Sequence, residues 1–227
     1  MALEIGFLLF PDIQQLDLAG PFDVLAAVPE TRLHLAAKTE QPVASSSGLT
    51  LTPTVSCVAA PQFDILCIPG GRGVNPLLQD EETLAFVAGQ AAGARYVTSV
   101  CTGALVLGAA GLLHGKRATT HWTALDLLSA YGATPVKARA VQDGNLITGG
   151  GVTAGIDFGL ALAAELAGQE VAEAIQLGLE YAPAPPFDAG SPDTASAETV
   201  ASVLRRTGKV REARERLAAA YAAKRED

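Results

Sequence analysis

Charge, aromatic rings and cysteine are all scarce in this 227-residue chain. Only 18% of residues are charged and 5% aromatic, while 49% are hydrophobic and mean hydropathy is +0.27. Disordered chains are poor in apolar residues, so this balance excludes global disorder. No run reaches the roughly 18 uncharged apolar residues of a membrane span. The N-terminal MALEIGFLLF has Glu4 and no basic segment before its apolar run, so it does not read as a secretory leader. The expectation is a cytoplasmic globular protein with no membrane partner.

Three cysteines, Cys57, Cys67 and Cys101, are odd in number and form no CxxC pair. That excludes a disulfide framework and a zinc knuckle and fits a reducing compartment. His34, His114 and His121 share no ligand spacing, so no metal is expected. Gly71-Arg72-Gly73 fails the GxGxxG pattern at Pro76, and no GxxxxGK loop occurs, so neither a dinucleotide nor a nucleotide cofactor is indicated. The net charge of −8 argues against nucleic acid as a partner. Residues 204–227 alone are basic, with eight Lys and Arg against four Asp and Glu. The interspersed Glu212 and Glu215 make that tail a solvated helix face rather than a nucleic-acid arm.

What the chain does contain is an alternation of short apolar runs with helical patterns. Leu3–Phe10, Arg32–Ala37, Phe63–Ile68 and Tyr96–Val100 read as strands, with a weaker one at Thr50–Val55. Helices are expected at Pro21–Val28 with Pro21 in the first turn, and at Pro76–Ala92, Thr102–Ala110, Thr123–Tyr131, Thr153–Ala167 and Glu170–Leu179. Asp143-Gly144 marks a hairpin between Val136–Val141 and Asn145–Ile147. The pattern predicts an α/β, flavodoxin-like fold, a mostly parallel sheet between helices. The body is expected over residues 1–181. A proline-rich connector and a C-terminal helix follow over 182–227. In that helix Val200, Val203, Thr207, Val210, Arg214, Leu217 and Tyr221 recur every three or four positions. Such a stripe packs either on the body or on a second subunit.

The segment that carries chemistry is YVTSVCTGA. A strand ends, one residue turns and a helix begins among small residues, the form of a nucleophile elbow at Cys101. Helix N–H groups at such a turn favour thiolate, so a depressed thiol pKa is expected. Cys57 and Cys67 read instead as structural cysteines. Pro69-Gly70-Gly71 follows a buried strand at the same sheet edge, where bare peptide N–H groups of Gly70 and Gly71 suit an oxyanion. Asp17, expected in the loop after the first strand, is either a helix-entry cap or a desolvated carboxyl with a raised pKa. His121, at a strand-to-helix junction, is either a base for the thiol or a satisfied structural histidine.

PGG after a strand, SVCTGALVLGAAGLL, GKRATTHW and GGGVTAGID together resemble the ThiJ/PfpI superfamily across residues 3–181. Asp17 in LDLAGP and Cys101-Thr102 resemble its isonitrile-hydrating branch most. That resemblance implies cofactor-free addition of water to an isonitrile, giving an N-substituted formamide through a cysteine thioimidate. It assigns Cys101 as nucleophile, Asp17 as acid/base and Thr102 as the supporting neighbour, in a homodimer. Protease-like members carry His after the cysteine, where Thr102 stands here. Amidotransferases need a late His-x-Glu, and no histidine follows His121. Two other readings stay open, a sensory domain like that of AraC-type regulators and a deglycase or redox-stress protein.

Overall fold

The computed structural model describes residues 2–226, and its central strands are the nearly continuous apolar runs of the sequence. Strand β1 (Leu3–Leu8) is flanked by β2 (Thr31–Ala37) and β4 (Ile65–Ile68), both parallel to it. A strand hydrogen-bonded on both sides and covered by helices has no polar face to keep wet, which is why LEIGFL barely alternates. The remaining strands of this sheet are β3 (Val55–Ser56), β5 (Tyr96–Val100), β6 (Ala140–Asp143) and β7 (Leu146–Gly149). The sheet order is β6-β7-β5-β4-β1-β2-β3, and only β6 runs antiparallel, through the Asp143-Gly144 hairpin.

Helices α1 (Gln15–Ala26), α4 (Ala154–Ala167) and α5 (Gln169–Gly178) pack together along the sheet. Helices α2 (Glu81–Gly93) and α3 (Gly103–Ala109) form a second layer with a 3-10 helix at Trp122–Tyr131. Helix α1 starts six residues earlier than expected, so Pro21 lies inside it rather than in its first turn. Proline costs the helix one hydrogen bond. Close packing compensates: Pro21 lies so near Gly155 of α4 that a methyl there would meet its ring at 2.8 Å. The expected helix over 76–92 is split, because Asp80 caps α2 by accepting the Thr83 N–H.

Residues 182–196 carry no helix or strand and are mostly exposed. Helix α6 (Ala197–Glu226) then runs for 30 residues through Gly208 and docks on the body, chiefly against the 3-10 helix. Ala218 is buried, Tyr221 stacks within 4.8 Å of Tyr131, and Arg211 forms a two-pronged pair with Asp126. Of the stripe, Val210, Arg214, Leu217 and Tyr221 meet this chain's own body.

Candidate active site

Three neighbouring strands, β1, β4 and β5, end at one edge of the sheet, where chain connections diverge and doubly wound folds bind ligands. Cys101 follows β5 directly and adopts φ 54°, a left-handed conformation costly for a residue with a side chain. Two hydrogen bonds hold it there. Its N–H donates to Gly149 O at 3.1 Å, and its carbonyl accepts the Thr120 hydroxyl at 2.5 Å. The elbow exists because its peptide groups are satisfied by a neighbouring strand at Gly149 and by the Thr120 side chain.

Asp17 lies in the first turn of α1, not in the preceding loop, and is fully buried. Its Oδ2 accepts the Gly70 N–H at 2.9 Å. Oδ1 has no hydrogen-bond partner among the described residues, and the Cys101 thiol lies near enough to act on the charge of the carboxyl. Burial pushes the Asp17 pKa up from 3.8 to about 7, against smaller opposing effects of the Gly70 N–H and the thiol. The desolvated carboxyl is thus the reading the structure selects.

The expected depressed thiol is corrected. Burial, and next the charge of Asp17, raise the Cys101 pKa, and the Thr102 N–H and Arg214 only partly offset them. Removing water outweighs the helix terminus. Burial also pushes Cys67 up to about 12 and Cys57 up to about 11. Acidity therefore does not separate the three thiols. What sets Cys101 apart is its company: a carboxyl, a guanidinium and an open cavity.

Gly70 and Gly71 do not present free N–H groups as the sequence suggested. Gly70 donates to Asp17, and Gly71 donates to Thr102 Oγ1 at 3.2 Å. They position the acid and the threonine. A Cβ on Gly70 would lie 2.6 Å from Thr102 N and 2.8 Å from Asp17 Oδ2. Gly70→Ala is accordingly expected to lower kcat by about tenfold or more, since small misplacements of reacting groups are costly. It should also destabilise the fold by roughly 1–3 kcal/mol through overpacking. Steady-state kinetics and thermal melts check both, and an unchanged kcat would show that the Asp17–Gly70 contact is dispensable.

His121 lines the same cavity without pairing with Cys101. Its Nδ1 accepts the Thr123 N–H at 3.3 Å, and burial followed by the charge of Arg214 lowers its pKa. It forms part of the cavity wall. The residue that sequence reasoning missed is Arg214 of α6, only 7% exposed. Its Nη2 donates to Gly71 O at 2.8 Å and to Thr102 Oγ1 at 3.4 Å, and its Nε donates to Asn75 Oδ1 at 2.8 Å. A signal existed, since Arg214 occupies the helix stripe between Val210 and Leu217. These groups border a cavity of about 480 Å³ that reaches Cys101, Thr102 and Val152. Among the described residues no cluster of three His, Cys, Asp or Glu could hold a metal, and no helix is long and apolar enough to cross a membrane.

A buried acid and an elbow cysteine at the switch point of a parallel sheet define a class, and the chain belongs to the DJ-1/PfpI family, whose model matches residues 4–165. Over 206 residues it is 63% identical to the isonitrile hydratase of Pseudomonas putida, covering 91% of this chain and 90% of that enzyme. A crystal structure of a ThiJ/PfpI family protein from Pseudomonas syringae superposes with a TM-score of 0.94 at 43% identity, covering 96% of this chain and 91% of the other. A helix-turn-helix transcriptional regulator of Pseudomonas aeruginosa is 31% identical over 180 residues, which span 49% of that regulator.

Proposed function

We propose that the protein is an isonitrile hydratase, converting R–N≡C and water into R–NH–CHO. The buried Asp17 carboxyl, set beside the Cys101 elbow with Oδ1 unpartnered among the described residues, carries this reading, alongside the extensive identity to the Pseudomonas putida enzyme. An isonitrile carbon accepts a soft nucleophile and a proton at the same atom. Asp17, with a pKa near neutrality, can take the thiol proton and deliver it there. The S–C and C–H bonds form together, giving the thioimidate R–N=CH–S–Cys101. Water then adds across the C=N bond, its OH to carbon and its proton to nitrogen with Asp17 as relay. The C–S bond breaks as the hydroxyl proton returns through Asp17 to sulfur, releasing the formamide. Arg214 offsets the charge that gathers on sulfur in both steps, and Thr102 fixes the Gly71 peptide beside it.

Incubating the full chain with a neutral aryl isonitrile should yield the formamide, with an acid-quenched adduct on the Cys101 peptide. Absence of formamide would overturn the reading and leave the regulator or deglycase alternatives. The same reading places the enzyme in the cytoplasm as a homodimer, acting on a small molecule and not on nucleic acid. Three free thiols support the compartment. Leu177, Leu179 and Leu16, exposed at 81%, 43% and 40%, support self-association. Light scattering should give twice the chain mass, and a monomer at micromolar concentration would refute the dimer.

A further inference from the structure

We propose that the isonitrile taken by this site carries an anionic group, of which a carboxylate is the smallest, held by a cationic wall that α6 places over Cys101. The inference rests on the hydratase reading and adds the substrate class. The chain as a whole is acidic, at −8, yet among the described residues five basic side chains line the cavity and no Asp or Glu does. The five are Arg72, Arg206, Lys209, Arg211 and Arg214. Four of them come from α6, at steps of three, two and three residues along the helix.

Charge pairing elsewhere is mixed: Arg95, Arg117, Arg205, Arg216 and Lys224 have no ion pair among the described residues, while five other basic side chains do. On the body Arg32 meets Glu4, Lys38 meets Asp80, Lys137 meets Asp193 and Arg139 meets Asp157. At the cavity only Arg211 is neutralised, by Asp126 and Glu215. Arg72, Arg206, Lys209 and Arg214 have no carboxylate partner among the described residues. Arg214 is more than nine-tenths buried, contacts only neutral acceptors, and leaves Nη1 without a hydrogen bond among the described residues. A guanidinium buried without a counter-ion is costly, so its field has to be met from within the cavity. The anion that gathers on sulfur meets Arg214 at the floor. The cations further along α6, Arg206 and Lys209, are left for a second negative charge on the substrate. A cavity of about 480 Å³ exceeds the isonitrile carbon and nitrogen by far, which leaves room for a body that carries that charge. A neutral isonitrile would draw nothing from the wall.

The test compares 4-isocyanobenzoate with its methyl ester on the full-length enzyme. The acid should show a kcat/KM about tenfold higher at low salt, expressed in KM, with the advantage shrinking as ionic strength rises. The double variant Arg206→Gln/Lys209→Gln should lose the preference, the acid-to-ester ratio of kcat/KM falling to about one at every ionic strength. Equal rates for the two compounds, or a preference insensitive to salt and to the double variant, would overturn the proposal with the hydratase reading intact. Hydration of neither compound would sink the hydratase reading itself, and the proposal with it.

Discussion

Replacing Cys101 by Ala is expected to eliminate formamide production, a loss on the order of 10⁴-fold or more, because nothing else in the cavity can form the covalent bond to the isonitrile carbon. The fold should survive, since the elbow is held by the Cys101 peptide groups through Gly149 and Thr120 and not by the sulfur. Cys67→Ala and Cys57→Ala are the controls. Cys67 is sealed within β4, where its sulfur accepts the Thr98 hydroxyl at 3.0 Å, so removing it costs stability but not chemistry. Burial raises all three thiols, so reactivity with a general alkylating agent need not single out Cys101; turnover must. A folded Cys67→Ala variant that lost as much activity would end the assignment.

The second large effect belongs to Asp17. Asp17→Asn keeps an oxygen for the Gly70 N–H but cannot carry a proton, and kcat should fall by about 10²–10⁴-fold. In the native enzyme the first step needs the carboxylate, so kcat/KM should rise with pH through about 7. Stability should move the opposite way. Above pH 7 the folded chain holds a buried carboxylate that the unfolded chain exposes to water; below pH 4 both states are protonated. The penalty therefore appears as pH rises from 3.8 to about 7, and amounts to roughly 4 kcal/mol at most. The Asn variant should melt at a higher temperature than the native chain at pH 8, and the gain should vanish near pH 4. A variant with near-native kcat would show that the proton is moved by another group.

Much of this architecture was legible because burial writes itself into composition. FDILCI and YVTSV became central parallel strands since both faces of each are covered, and SVCTGA became an elbow since small residues allow a strand to meet a helix within one turn. Asp143-Gly144 gave its hairpin for a local reason, Gly144 taking φ 65°. What was not legible depends on distant partners. Pro21 reads as a helix start until Gly155 is brought against it. The helix terminus at Cys101 argues for an acidic thiol until the water around it is counted, and that water is displaced by segments far apart in the chain. The N–H groups of Gly70 and Gly71 read as free until Asp17 and Thr102 arrive. Arg214 was visible only as an oddity in a stripe, because its partners Thr102 and Gly71 lie 112 and 143 residues earlier.

That last separation bears on how the enzyme is made and unmade. A ribosome finishes the sheet, the elbow and the buried acid well before it reaches α6, so the emerging chain holds its thiol in an unwalled cleft until that helix docks. The reverse applies to a mature molecule nicked in the exposed stretch 182–196. Cys101 and Asp17 stay on one fragment and Arg214 leaves on the other. Contacts that were intramolecular, with an effective concentration on the order of millimolar, become an encounter between two pieces. Activity of the nicked enzyme then depends on dilution, although no bond at the reacting centre has been cut.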